Sequence, residues 1–254
     1  MALNKNNSEA KPEIVSYLTM RKTVGWLGML LPFLLLFGNY ILNKAGIFNS
    51  ALFVKLSCDH HYQNAGSFKS SISHYYYTTV GEYFTGTLCA VAMFMICYTG
   101  HPLRKGEKGL SDNAMSNLAG IFALGVVSFP TTSDNFILDS LRNFLSSEFI
   151  GWVHYGFAAS FFIVLALMSM VNFRRSEEQG LFGKGPDDPF FLWCGIAMIA
   201  CLVLVPVCSQ IDWLQKIHST FILEAIALFS FGISWLKKGK ADFMYLPKKL
   251  GFKK

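Results

Sequence analysis

The sequence predicts an all-α, polytopic transmembrane bundle of six helices with the N- and C-termini in the cytoplasm. Three observations carry that prediction. Charge is scarce and confined to short segments, six long apolar runs lie between those segments, and the basic residues collect on one side of the resulting zigzag. Of 254 residues, 52% are hydrophobic and 15% charged, whereas a soluble domain carries about 25% charge. A run of about 20 apolar residues crosses the hydrocarbon core of a bilayer, so the clustering places the chain in the membrane class. The net charge of +6 does not point to nucleic acid, because the basic residues sit beside the apolar runs, where topology accounts for them.

The first span, 23–42, follows a polar N-terminal stretch. It is too long and too late for a secretory signal, and the residues after it (Asn43, Lys44, Ala45, Gly46) offer no cleavage site. The second covers 80–100. The third, 114–132, is the least apolar: Asp112 is a candidate helix cap, Ser116 and Asn117 precede the clean apolar run, and Pro130 should stop or kink the helix. The remaining spans are 149–171, 190–211 and 218–236. Pro32 and Pro206 predict kinks, and Gly25, Gly28, Gly120, Gly125, Gly156 and Gly232 predict close helix contacts. The sizeable connection is an outer loop, 43–79, long enough for a small cap over the bundle. The inner loop 172–189 reads as a solvated turn and 237–254 as a basic cytoplasmic tail. Residues 1–254 therefore form one six-helix membrane domain whose short connections make sequence neighbours antiparallel.

The basic residues set the orientation. With the N-terminus inside, the outer segments hold Lys44, Lys55, Lys69, Arg142 and Lys216, and the other seventeen of 22 lie inside. This is the positive-inside bias. Trp26, Trp193 and Trp235 fall at inner boundaries and Trp152 and Trp213 at outer ones, the headgroup level that the amphipathic indole prefers. Cys89, Cys97, Cys194, Cys201 and Cys208 fall within spans and there is no C-x-x-C pair, so these thiols read as small apolar residues. A Cys58–Cys208 bridge on the outer side stays open, since connectivity does not follow from sequence.

Ionisable side chains within a span cost about 2.5–3.5 kcal/mol at the helix centre and usually face the bundle interior. Glu82 lies just inside the outer end of the second span, and Glu224 lies deeper in the sixth, on an aromatic face. Asp134 follows the third span. Of six histidines, only His101 is on the inner side; His60 and His61 lie in the outer loop, and His74, His154 and His218 lie at the outer ends of the second, fourth and sixth spans. These groups could converge on one polar site in the outer leaflet, with Ser73, Glu82, Asp134 and Glu224 binding a ligand. His154, His218 and His74 could hold zinc with one position open, and a nearby acid could act as general base. The alternative is that each histidine is an interfacial hydrogen-bonding residue. No H-x-x-x-H or H-E-x-x-H places two ligands on one helix. For Glu224 the alternative is a carboxyl bonded to a serine or threonine of a neighbouring helix.

Three stretches carry a resemblance. They are Ser71-Ile72-Ser73-His74-Tyr75-Tyr76-Tyr77-Thr78, the run from Leu118-Ala119-Gly120-Ile121 to Ser128-Phe129-Pro130-Thr131, and the run from Phe221-Ile222-Leu223-Glu224 to Phe231-Gly232-Ile233-Ser234-Trp235. Together they resemble an uncharacterised bacterial six-transmembrane-helix family, a domain of unknown function, and the architecture is distantly similar to the DRAM-like family. The resemblance implies six helices and a bacterial inner membrane, and it implies no activity. A second similarity is to the ceramidase and progestin-receptor-like membrane hydrolases, which bind zinc with a Ser, an Asp and three His. Ser73, Asp134, His154 and His218 map onto that set, but those proteins have seven spans and paired helical histidines.

Three functions compete. The first is a protein that binds a membrane lipid or small amphiphile in an outer-facing pocket, as sensor, carrier or assembly factor. The second is a metal-dependent hydrolase of a lipid amide or ester. The third is a small proton-linked transporter built on Glu224, although no inverted repeat or pair of broken helices is visible. A homo-oligomer is compatible with all three.

Overall fold

The computed structural model describes residues 12–44, 68–78, 80–100, 109–132, 147–174 and 189–239. The described residues are helical, with no strand among them. The helices are α1 (Pro12–Lys44), α2 (Gly81–Ile96), α3 (Asp112–Ser128), α4 (Ser147–Leu167), α5 (Phe190–Cys208), α6 (Asp212–Lys216) and α7 (Ser219–Lys238). A short 3-10 turn, Ser73–Tyr77, precedes α2, and α4 continues as a π-helical turn, Met168–Phe173. Among the described residues four helices are long and apolar enough to cross a membrane: Leu18–Leu42 within α1, Glu148–Phe173, α5 and α7. α2, at 16 residues, is apolar but shorter.

The helices coincide with the six expected segments and differ at their ends. α1 starts well before residue 23, because helix formers such as Glu13, Ile14 and Arg21 extend it past the apolar window; its 33 residues run about 50 Å. The cap of α3 is Ser111, whose hydroxyl accepts from the Ala114 amide at 3.2 Å, so Asp112 is the first helical residue and not the cap. α3 ends at Ser128, two residues before Pro130. α5 ends at Cys208, and residues 209–211, expected to complete its span, form a turn that leads into the short α6.

Each of the six long helices packs on the next, and α1 closes the ring against α7. That last contact is the tightest: a Cβ on Gly232 would sit 2.6 Å from the Gly25 carbonyl oxygen, and one on Gly25 would sit 2.8 Å from the Gly232 oxygen. Small residues here allow backbone to meet backbone. A Cβ on Gly120 would meet Ile96, and one on Gly125 would meet Phe157. Gly156 departs from expectation: it is exposed and nothing lies within 4 Å of its Cβ position.

One end of the ring is closed by a polar and aromatic knot. Arg21 of α1 is buried. Its guanidinium donates to the Tyr98 hydroxyl at 2.7 Å and the Lys238 carbonyl at 3.1 Å. The Tyr98 ring packs edge-on against Trp235, which meets Phe173, which meets Phe191. Lys238 donates to the Phe173 carbonyl at 2.7 Å. Ser116 donates to the Tyr98 carbonyl, and Asn172, on the π-helical turn, donates to Asp112 at 2.9 Å. All six long helices or their immediate ends meet there. Because α1 and α3 begin where α2 and α4 end, this also fixes the antiparallel order.

Candidate functional site

The opposite end carries His74, His154 and His218 and is built differently. Residues 68–78 lie across the bundle there and are tied down by backbone and side-chain bonds. The Phe221 amide donates to the Ser70 carbonyl at 2.8 Å. The Glu224 carboxylate accepts from the Ser71 hydroxyl, at 2.9 Å to each oxygen, and from the Ile72 amide at 2.6 Å. His154 of α4 is buried at 2% exposure. Its Nδ1 lies 2.7 Å from the Phe129 carbonyl oxygen and its Nε2 lies 3.0 Å from the Ser73 hydroxyl. A carbonyl can only accept, so Nδ1 carries the proton and Nε2 accepts from Ser73. Tyr77 donates to the Thr131 carbonyl at 2.5 Å. The short 3-10 turn is therefore stapled to α7 through Glu224, to α4 through His154 and to the end of α3 through Tyr77.

Beneath and beside this segment is a cavity of about 630 Å³ between α4, α5 and α7, within the roughly 300–1,000 Å³ range of small-molecule sites. It exists because α4 and α7 face each other across the ring with little direct contact, while α5 packs along α7. Its floor is apolar: Ala158, Ala159 and Phe162 of α4, Met198, Cys201 and Leu202 of α5, and Leu223 and Ala227 of α7. Its rim is polar: Ser70, Ser71, His74, Gln210, Gln215, His218, Ser219 and Thr220, with Glu224 at the boundary. Trp152 and Tyr155 stand exposed at the mouth. From Trp152 to Phe162 the α4 wall descends ten residues, about 15 Å of helix rise. Pro206 also lines the cavity; lacking an N–H, it leaves the Leu202 carbonyl without its usual helical partner.

His218 is the one non-glycine residue with positive φ among the described residues, at φ 54° and ψ 43°. That left-handed conformation is uncommon, although histidine is among the residues enriched in it. His218 precedes α7 at its N-cap position without capping it, and its ring packs on Phe68 with centroids 4.5 Å apart. Its Nδ1 and the Ser219 hydroxyl oxygen are buried without a hydrogen-bond partner. Ser219 is only 7% exposed. Buried polar atoms without partners are rare enough that each calls for an explanation.

The expected site residues are thus divided. Glu224, His74 and His218 line the cavity. Ser73 and His154 bond to each other behind its wall and do not line it. Glu82 is exposed on α2, away from the cavity. Asp134, Cys58, His60, His61 and His101 lie outside the described residues. Both ring nitrogens of His154 are taken by protein groups, and His74 Nδ1 is 3.3 Å from the Ser70 hydroxyl. Among the described residues no three His, Cys, Asp or Glu side chains are placed to hold a metal ion together. The partner of Glu224 is a serine of the 68–78 segment and not of a neighbouring helix. Sequence reasoning did not single out Ser70, Ser71 or Ser219. Ser71 stands in a motif without apolar periodicity, and Ser219 reads as an ordinary helix start.

In the segment that covers the site, burial lowers the Lys69 ammonium and raises the Tyr75 phenol from their ordinary values. Both shifts favour the uncharged forms. Searches against family models, curated proteins and solved structures found no match to this chain.

Proposed function

We propose that this protein spans a bacterial inner membrane six times, with both termini in the cytoplasm, and binds a lipid or small amphiphile in the cavity between α4, α5 and α7. Its role is that of a sensor, carrier or assembly factor. The observation that carries the reading is the cavity itself: an apolar floor, a polar rim at one end and exposed aromatics at the mouth. That gradient matches a molecule with a chain and a head. The positive-inside bias supports the orientation, and it puts the cavity in the outer leaflet. Helices α2 and α3 complete six spans in this reading because they occupy the ring between two helices long enough to cross.

The test is recovery of bound lipid from detergent-purified protein by solvent extraction and mass spectrometry. Wild type should retain an amphiphile in near-stoichiometric amount, and Ala159→Trp, which fills the cavity, should lose it while keeping the wild-type elution profile. Equal recovery from both proteins would sink the reading. A proton-linked role for Glu224 is the second reading, favoured by its place at the boundary between rim and floor. It predicts proton uptake by proteoliposomes that Glu224→Gln abolishes. A zinc hydrolase would require His154 Nε2 to leave the Ser73 hydroxyl, with Nδ1 kept on the Phe129 carbonyl.

A further inference from the structure

Resting on the lipid-binding reading, we infer that the ligand's head is uncharged and hydroxylated, as in a single-chain glycerol ester, and that Glu224, His218 and Ser219 form its subsite. The charge of the wall is the first reason. Among the described residues no lysine or arginine lines the cavity, and the acid that does so is Glu224. An anionic head would bring acceptor oxygens against those of Glu224, with no lysine or arginine among the described lining residues to offset the repulsion. The opposing field is the N-terminus of α7, worth about half a charge, and one of its first amides, that of Phe221, is already bonded to the Ser70 carbonyl.

The second reason is the pattern of unmet hydrogen bonds. The Ser219 hydroxyl is buried, lines the cavity and has no partner, and His218 Nδ1 beside it is in the same state. A hydroxyl both donates and accepts, and an imidazole nitrogen does one or the other according to tautomer. The Glu224 carboxylate only accepts, and three donor contacts from Ser71 and Ile72 leave it with acceptor capacity. A diol answers all three: one hydroxyl donates to Glu224, and the other exchanges bonds with Ser219 and His218. An ammonium donates only, and gives the Ser219 proton nothing to bind. The backbone supports the assignment. The positive φ at His218, uncommon outside glycine, belongs to the turn that sets His218 and Ser219 at the cavity rim.

The experiment is equilibrium binding of tritiated monoolein to the full-length, detergent-solubilised protein, with competition by unlabelled monoolein, oleate, oleoyl lysophosphatidate and oleylamine. These share one chain and differ in the head. Monoolein should displace the label at least about tenfold more effectively than either anion or the amine, the effect of about one hydrogen bond to a charged or buried group. Ser219→Ala should weaken monoolein about five- to tenfold and leave the competition by oleate unmoved. Its unfolding midpoint serves as the folding control, and Glu224→Gln provides a second variant with the same expected direction. Equal or tighter binding of an anion, or tightest binding of the amine, overturns the headgroup assignment while the cavity reading stands. If monoolein binding is unaffected by Ala159→Trp, or none of the four ligands binds wild type, both fall.

Discussion

The two ends of the ring use polar groups in opposite ways. At the end where α7 finishes, Arg21, Tyr98, Asp112, Asn172 and Lys238 are buried beside the rings of Trp235, Phe173 and Phe191. At the histidine end, polar side chains line a 630 Å³ space, and two of them are buried without partners. The helices are the same six in both places. What differs is whether facing helices touch: the tail of α4 reaches α5 and α7 through Phe173, whereas its first turns stand back from α7 across the cavity. A membrane bundle has little hydrophobic drive for helix association, so packing and polar bonds decide where it closes. One end is therefore a clamp and the other a receptacle.

The contrast can be broken most sharply at Arg21. Arg21→Met leaves the Tyr98 hydroxyl and the Lys238 carbonyl without this donor, and should cost about 3 kcal/mol, read as a fall in the unfolding midpoint in a denaturing-detergent titration. A loss under about 1 kcal/mol would show that the knot is not the clamp. Next in size is Gly232→Ala, whose methyl would press on the Gly25 carbonyl and on Met29. Forcing α1 from α7 should cost about 1–3 kcal/mol, and Gly25→Ala should behave alike. Ser73→Ala removes the donor to a buried histidine, and should cost about 1 kcal/mol with lipid retention preserved, since Ser73 is off the cavity. Loss of bound lipid in that variant would make the staple part of the site. The smallest effect is of opposite sign. Gly156→Ala meets open space, and should stabilise by up to about 1 kcal/mol through helix propensity; destabilisation would mean that something packs there.

The helices were readable because partition into lipid is a property of composition, and each apolar run marks its own segment. Their ends were less so. Hydropathy reports where water stops, not where hydrogen bonds stop, so the early start of α1 and the short α6 escaped it. Glu224 stood out because a carboxylate in an apolar run is costly, and it does line the cavity. Glu82 stood out for the same reason and lies on the exposed side of α2, because a residue's face follows from packing that a single helix does not encode. Arg21 read as a topology anchor and is a buried donor. Its partners Tyr98 and Lys238 are distant in sequence, 77 and 217 residues away. The cavity was invisible for the same reason: it is a space bounded by α4, α5 and α7, and no one segment announces a gap.

The closure of α1 on α7 has a consequence for biogenesis. The ring is completed by α1 against α7, and a ribosome delivers α7 after the other described helices. Until α7 arrives, Arg21 lacks the Lys238 carbonyl, the 68–78 segment lacks the Glu224 staple, and the glycine seam on α1 faces lipid. The receptacle has no third wall at that stage. A nascent chain arrested before residue 219 therefore keeps Arg21 on the Tyr98 hydroxyl alone and leaves the groove between α4 and α5 unsealed.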